Sequence, residues 1–517
     1  MQKLVIPFIE AADADAKIKN DGHQDPRASD HETTLVSSYS TTELAKLMHL
    51  QVPDHGQGSD GLLQAIDVTL RYSVNTWKAG FMDKLYASTD APGLAAELVL
   101  ATLNTNVHVY AVSPALTIIE KHVTKALAAK FGLDEENSGG ISVQGGAASN
   151  LTALLIARNF RYPEIKAKGM GILKKPLAIF TSSEAHYSVS TAASSLGFGQ
   201  EAVCSVPVDR HGRMDIFELG KAIQKAKEAG KEPFCVSATA GTTVRGAYDP
   251  LIEIGEVCKK YKLWFHVDGA WGGPAIFSGK HKHKLDGSHL ADTIACNPHK
   301  MMGVPMTCSF LLGKDMRKFY VANSLTAGYL FHDDSESVTT GPNTSQRLPV
   351  AADVYDLASF TPQCGRRGDS LKLYLAWIYH GTLGYEEQIN LAFDACQYMA
   401  SQVSGDDAFH LVSDDPPPCC QCCFYYRPRN LLETVPQDIR SRIIAQTRIT
   451  RRIASGLVKR GWMIDYAPGE LGEFLRVVTN RGTTHMVVDG LLKAIKEVGA
   501  RVITEPLRAN DSGSVES

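Results

Sequence analysis

Lys262-Leu263-Trp264-Phe265-His266-Val267-Asp268 reads as a buried strand that ends in an acid, and Gly269-Ala270-Trp271-Gly272-Gly273 continues it with small residues. In an open parallel sheet, ligands bind beyond the carboxyl ends of the strands, and small residues there admit a flat ligand. Downstream, Asn297-Pro298-His299-Lys300-Met301-Met302-Gly303 places Lys300 32 residues after Asp268. Alone, that second segment has an ordinary explanation as an exposed turn. Together the two suit an amine that holds an aldehyde cofactor as a Schiff base and a carboxylate that keeps that cofactor's ring nitrogen protonated. Those are the requirements of pyridoxal 5'-phosphate.

Gln144-Gly145-Gly146-Ala147-Ala148-Ser149-Asn150 opens a helix. Small residues let backbone N–H groups approach an anion at a helix N-terminus, where the dipole also favours it. A tight turn needs the same glycines. Beside Lys300 and Asp268, the stretch supplies a cup for the cofactor phosphate.

Working outward, short β-branched or apolar runs alternate with helix-like stretches from Ile141 onward. Strands are expected over 178–181, 234–239, 263–267 and 307–312, and helices over 150–160, 216–229 and 251–260. The alternation predicts an α/β fold with a mainly parallel sheet. Before it, helical spacing covers 59–81 (Leu62, Leu63, Ile66, Leu70, Val74), 92–103 and 114–131. Turn-rich stretches fall at 21–26 and 53–58. From about Thr382 the pattern becomes a long helix, a strand over 419–426, a helix over 436–461 and strands near Trp462 and Phe474. That is the pattern of a smaller α+β domain.

The chain has 517 residues, 44% hydrophobic and 21% charged, with a net charge of -3. This length predicts more than one domain with a large core, and the charge gives no sign of a nucleic-acid partner. Leu4-Val5-Ile6-Pro7-Phe8-Ile9 is too short for a signal-peptide core and lacks a basic flank. No apolar run approaches the ~20 residues that span a bilayer. The 11 cysteines are odd in number and mostly scattered, as expected in a reducing compartment. Cys419-Cys420-Gln421-Cys422-Cys423 has the wrong spacing for a metal and reads as buried strand. Lys280-His281-Lys282-His283-Lys284 reads as a solvated surface turn, so no metal is expected there. Residues 508–517 read as a disordered tail, and the location expected is cytoplasmic.

Seven ordered motifs carry a resemblance. They are Asn104-Thr105-Asn106, Gly145 to Asn150, Ala185-His186-Tyr187-Ser188, Ala238-Thr239-Ala240-Gly241-Thr242-Thr243, the Asp268 and Lys300 segments, and Gln363-Cys364-Gly365-Arg366. From about Gly80 to Leu492 the chain resembles the group II pyridoxal-phosphate-dependent amino acid decarboxylases of the glutamate, cysteine sulfinate and aspartate decarboxylase type. The resemblance implies the fold-type-I architecture, a large mainly parallel seven-stranded sheet domain and a smaller C-terminal α+β domain. The expected division is 1–105 as an N-terminal helical segment packing on a dimer partner, 106–381 as the cofactor domain, 382–507 as the small domain, and the tail. The resemblance also implies a homodimer and a small acidic amino acid as substrate.

Residue by residue, Lys300 matches the cofactor lysine, Asp268 the partner of the ring nitrogen, and His186 the ring-stacking histidine with Ala270 on the opposite face. At ~4 Å and an effective dielectric near 20, the pair formed by Asp268 and the ring nitrogen is worth roughly 4 kcal/mol before desolvation. Gly146, Ala147, Ala148 and Asn297 fall around the phosphate, with Thr239 and His299 nearby. A tyrosine on a mobile loop is implied as the proton donor, and counting back from Arg366 gives Tyr355. The loop after Ala327-Gly328-Tyr329-Leu330-Phe331 is longer than in relatives.

Arg476 matches a substrate carboxylate clamp, an arrangement that suits a planar guanidinium. Asn106 belongs to the motif of the acidic-substrate branch. Lys84 stands where relatives carry glutamine, His108 where they carry an aromatic residue, and Met306-Thr307 replaces Leu-Gln. Extra positive charge deep in the site favours a short acid. The expected reaction is therefore decarboxylation of L-aspartate to β-alanine or of cysteine sulfinate to hypotaurine, with L-glutamate to γ-aminobutyrate close behind. The alternatives are an aromatic amino acid decarboxylase, a non-decarboxylating enzyme with the same cofactor, and a non-catalytic binding protein.

Overall fold

The computed structural model describes residues 2–20, 35–36, 39–324, 350–429 and 438–504. The turn expected at 21–26, the loop after Phe331 and the tail lie outside these residues. The chain forms two compact units, Thr89–Asn390 and a second built from Met1–Ser88 with Leu391–Ser517.

The first unit holds a seven-stranded sheet: β1 (Gly139–Val143), β2 (Leu177–Ser182), β3 (Val203–Val206), β4 (Glu232–Thr239), β5 (Trp264–Gly269), β6 (Thr293–Cys296) and β7 (Ser309–Gly313). Their order is β1-β7-β6-β5-β4-β2-β3. β7 runs antiparallel to both neighbours, while β6, β5, β4, β2 and β3 are parallel. Strands covered on both faces need continuous apolar runs, and β1, β2, β5, β6 and β7 are buried at every position. The helix Ile216–Glu228 starts where Asp215 accepts from the amides of Phe217 (2.8 Å) and Glu218 (3.1 Å). The helix Ala91–Leu103 starts under Asp90 in the same way and stops at Asn104, the first residue of an expected motif, which takes the left-handed conformation (φ 43°).

A buried ion pair ties the start of this unit to its end. Arg366 Nη1 donates to Glu120 Oε1 at 2.6 Å and to the Ser142 carbonyl at 3.1 Å, while Nη2 donates to the Val107 carbonyl at 3.0 Å. Glu120 also accepts from the Ser142 amide and hydroxyl (3.0 and 2.8 Å), so each charge is met by more than one partner, although Arg366 Nε has none among the described residues. The Arg366 amide donates to Asn106 Oδ1 at 2.9 Å. One expected substrate residue thus has its carbonyl oxygen committed to the backbone.

In the second unit, β8 (Phe409–Leu411), β9 (Gln421–Tyr426), β10 (Asp465–Ala467) and β11 (Phe474–Val478) form an antiparallel sheet in the order β10-β11-β9-β8. The cysteine-rich segment is strand from Gln421, and Cys419, Cys420, Cys422 and Cys423 are buried. Phe424, Leu475, Ile453, Leu491 and Ile495 share one core. The helix expected from Thr382 follows a break at Gly381 (φ 69°) inside Ser370–Ser404. The helix expected over 59–81 spans only Gly58–Tyr72. Beyond it Asn75 donates to the Phe8 carbonyl (2.7 Å) and Phe81 bridges Met463, so tertiary hydrogen bonds override the apolar spacing. The N-terminal helix Gln2–Asn20 is held within its own chain, where Lys19 donates to the Gly461 carbonyl at 3.0 Å.

Arg366→Met would leave the Glu120 carboxylate buried without its charge partner, which costs about 3–5 kcal/mol. Denaturant unfolding of the two proteins should show a loss of that size.

Candidate active site

The C-terminal ends of the parallel strands lie along one edge of the sheet. Thr239 ends β4 and pairs in register with Asp268 near the end of β5, which in turn pairs with Ala295 on β6. Asn297, His299 and Lys300 follow β6 directly, His186 follows β2, and Gly146 follows β1. The topology alone therefore gathers Thr239, Asp268, Asn297, Lys300, His186 and the helix Gly146–Arg161 at one edge.

Asp268 is buried and, among the described residues, accepts from nitrogen donors: Asn150 Nδ2 to Oδ2 at 2.8 Å and the Ala270 amide to Oδ1 at 3.1 Å. Lys300 is partly buried, and burial pulls its pKa below the usual lysine value although the charge of Asp268 opposes the shift. A lower pKa enlarges the fraction of free amine, the form that attacks a carbonyl. Burial likewise lowers the pKa of His186, with Asp268 opposing and Lys300 assisting. Its Nδ1 accepts from the Ser188 amide at 3.2 Å, which leaves a proton for Nε2.

The segment expected to hold the phosphate is shaped by close approach. Gly145 has φ 93°, a conformation that glycine adopts without strain. A Cβ on Gly146 would lie 2.9 Å from Ala270 Cβ and 3.0 Å from the Asn297 side-chain amide. Asn297 is fully buried, and its amide is satisfied when Nδ2 donates to the Cys296 carbonyl and Ser309 Oγ (both 3.2 Å) and Oδ1 accepts from the Gly146 amide at 3.1 Å. The Gly146 N–H is then taken. The Ala147 and Ala148 amides lie in the first turn, where no carbonyl of the same helix reaches. Thr239 is fixed by its amide, which donates to Asp249 at 2.7 Å. Burial raises the pKa of Asp249 to about 6. His299 is buried with Nδ1 2.8 Å from the Cys308 carbonyl, and burial lowers its pKa to about 4.

Other expected site residues have different surroundings. Tyr355 is half-exposed: Lys121 Nζ sits 4.1 Å from its ring centre, and the Tyr110 ring packs edge-on at 5.5 Å. His108 is partly buried, with Nδ1 3.4 Å from the Asn106 carbonyl. In the second unit, Lys84 and Arg476 share the Asp465 carboxylate, and Lys84 also lies 3.4 Å from Asp83. Burial works against the charge of Lys84, but Asp465 and Asp83 outweigh it and its pKa rises. Two cations and two carboxylates leave this cluster with no net positive charge.

Sequence reading passed over Lys372. It is fully buried, bonded to Glu97 (2.6 Å) and Asp369 (2.9 Å), and it donates to the carbonyls of Met306 (3.3 Å) and Thr307 (3.2 Å). Thr307 in turn donates to Gln144 Oε1 at 2.8 Å, joining the segment after Lys300 to the start of the phosphate cup. Sequence reading also left His266 without a role, although it shares a strand face with Asp268 two residues on. The basic run at Lys280–Lys284 lies in a surface turn in which His281 is partly buried. Among the described residues, no group of three or more His, Cys, Asp or Glu is arranged to hold a metal.

A buried amine, a carboxylate met by nitrogen donors, and a glycine cup at a helix start fit pyridoxal phosphate. The fold and site are those of a fold-type-I decarboxylase. Residues 42–427 match the model of the pyridoxal-dependent decarboxylase conserved domain. The chain is 46% identical over 506 residues to the L-aspartate decarboxylase dtxS4 of Metarhizium robertsii, covering 97% of this chain and 96% of that protein. It is 42% identical over 466 residues to the glutamate decarboxylase-like protein FG08083 of Gibberella zeae, covering 86% and 89%. The crystal structure of mouse CSAD in apo form superposes with a TM-score of 0.82 at 32% identity, covering 95% of this chain and 98% of that one. The chain belongs to the pyridoxal-dependent decarboxylase family, and its cofactor is pyridoxal 5'-phosphate.

Gly146→Ala should crowd Ala270 and Asn297 by an overpacking cost of about 1–3 kcal/mol. Titration of apo-protein with pyridoxal phosphate should show cofactor affinity falling by about five- to a hundredfold.

Proposed function

We propose that this protein removes the α-carboxylate of L-aspartate to give β-alanine. The observation that carries the substrate is the identity to the Metarhizium L-aspartate decarboxylase across nearly the whole of both chains. The relationships to mouse CSAD and to the glutamate decarboxylase-like protein support an acidic substrate more broadly. Cysteine sulfinate and glutamate are therefore the next candidates. Lys84 no longer supports a short acid through surplus charge, because Asp465 and Asp83 balance it.

Bound pyridoxal phosphate supplies the sink for the electron pair released when the bond from Cα to the carboxylate breaks. Lys300 holds the cofactor through its amine, and Asp268 holds a proton at the ring nitrogen. His186 and Ala270 cover the two ring faces. The Ala147 and Ala148 amides bind the phosphate, while Asn297 uses its side chain to fix Gly146 beside them. Thr239 and His299 line the cup. Arg476 is the proposed clamp for a substrate carboxylate, which has to take over one of the contacts now made by Asp465. Asn106 and His108 are proposed to line the substrate side.

The assembly we propose is a homodimer, with the N-terminal segment packing on the partner. Leu94 and Leu98, four residues apart on the helix Ala91–Leu103, are exposed side by side, as such an interface requires. A solution mass of one subunit by light scattering would remove this assembly. A cytoplasmic location is in keeping with an odd number of cysteines, 11, most of them buried. Among the described residues, no helix is long and apolar enough to cross a membrane.

Given an equimolar mixture of aspartate, cysteine sulfinate, glutamate, tyrosine and DOPA, the cofactor-loaded protein should form β-alanine with the highest kcat/KM. γ-Aminobutyrate as main product would move the substrate to glutamate, and an aromatic amine would overturn the acidic reading.

The proton donor is proposed to be one of the two tyrosines between Ser324 and Arg366. Tyr355 is engaged by Lys121 and Tyr110, which favours Tyr329, a residue outside the described ones. Tyr329→Phe should lose amine formation and keep cofactor absorbance, while Tyr355→Phe keeps most turnover. The reverse pattern returns the role to Tyr355.

A further inference from the structure

We propose that Trp264, Thr293, His266 and Asn150 form a one-way hydrogen-bond relay that orients the Asp268 carboxylate, making Thr293, His266 and Asn150 positioning residues for the cofactor's ring nitrogen. The proposal rests on the reading of Asp268 as the partner of that nitrogen.

Trp264, His266 and Asp268 are two residues apart on β5, so their side chains share one face. Thr293 on β6 is the register partner of His266. An indole N–H can only donate, so at 3.0 Å Thr293 Oγ1 accepts from Trp264 Nε1. His266 Nδ1 lies 3.0 Å from the same oxygen; because the Asp268 carboxylate can only accept, Asn150 turns Nδ2 to it and Oδ1 to His266, so Nδ1 is the accepting nitrogen and takes the Thr293 hydrogen. With Nδ1 accepting, the ring proton sits on Nε2 and is donated to Asn150 Oδ1 at 2.9 Å. Asn150 Nδ2 reaches Asp268 Oδ2 and Ser188 Oγ, each at 2.8 Å. Every link points toward Asp268. Turning Asn150 around would set its oxygen against the carboxylate, two acceptors face to face.

The relay is also neutral. Burial lowers the pKa of His266 to about 4 although the charge of Asp268 works to raise it. A neutral donor chain fixes the carboxylate without placing a full positive charge beside it. The charge of Asp268 is left for the ring nitrogen. A charged histidine behind the aspartate would compete for that charge.

The test is nitrogen-15 NMR of holoenzyme loaded with pyridoxal phosphate labelled at the ring nitrogen, read beside kcat, KM and Tm. Asp268→Asn is the reference and should move the resonance toward that of neutral pyridine. Thr293→Val keeps the shape but lacks the hydroxyl. It should move the resonance the same way and lower kcat by about tenfold or more at unchanged KM, the scale for losing a group that orients a functional ligand. Thr293→Ser should restore both.

His266→Gln against His266→Phe repeats the test at the next link, and serves if Thr293→Val fails to fold. The amide keeps an N–H for Asn150 and the phenyl ring does not, so the glutamine variant should lie closer to wild type. A Thr293→Val holoenzyme with wild-type resonance and kcat, or identical resonances in the two His266 variants, would overturn the relay while Asp268→Asn still shifts. No shift in Asp268→Asn would instead overturn the role of Asp268, and the relay with it.

Discussion

A carboxylate set at the end of a buried strand has to find its donors inside the protein, because water is not there to supply them. Asp268 is in that position, and much of the first unit is arranged around it. Its donors come from two places: Asn150, one turn into the helix that opens after β1, and the backbone of Ala270 just beyond β5. Neither can serve unless β1, β5 and β6 keep their order, since Asn150 is itself fixed by His266 on β5 and Thr293 stands opposite on β6. The same edge of the sheet then delivers Lys300. Its burial and its nearness to Asp268 act on its pKa in opposite senses, and burial prevails.

Two buried charge clusters hold the segments around this edge. Arg366 and Glu120 bind the Asn106 segment to β1 through Val107 and Ser142. Lys372, with Asp369 and Glu97, holds the carbonyls of Met306 and Thr307. Segments that must approach a ligand cannot bury large apolar side chains there, so their order has to come from polar contacts whose every charge is met. The second unit has a comparable cluster in Lys84, Asp83, Asp465 and Arg476. There the balance of charge changes the chemical reading, because Lys84 and Arg476 already meet carboxylates and bring no surplus positive charge.

The strands were legible because a strand covered on both faces has to be continuously apolar, and β2, β4 and β5 differ from expectation by only a residue or two at their ends. The candidate site at the sheet edge was legible for a related reason. Glycine at Gly146, asparagine at Asn297 and the acid of Asp268 are residue types that an ordinary strand-to-loop junction does not require. The helix expected over 59–81 was misjudged in length, since apolar spacing continues past Tyr72 while Asn75 and Phe81 are bonded to distant backbone. Counting back from a motif could not reveal that Tyr355 lies beneath Lys121. The directions of the relay through His266 were likewise hidden. They depend on Trp264 and Thr293 meeting across two strands.

The sequence by itself determined the fold class and the cofactor, and it put forward Lys300 and Asp268 as the residues to which that cofactor's chemistry is assigned. Apolar periodicity and a few obligatory residue types are local properties and survive without coordinates. Only the tertiary structure decided which polar groups meet: that Lys84 is neutralised by Asp465, that Arg366 closes on Glu120, and that His266 stands behind Asp268 as a neutral donor. Those outcomes depend on burial and on partners tens to hundreds of residues apart. A charge or a proton is assigned by its surroundings rather than by the identity of the residue that carries it.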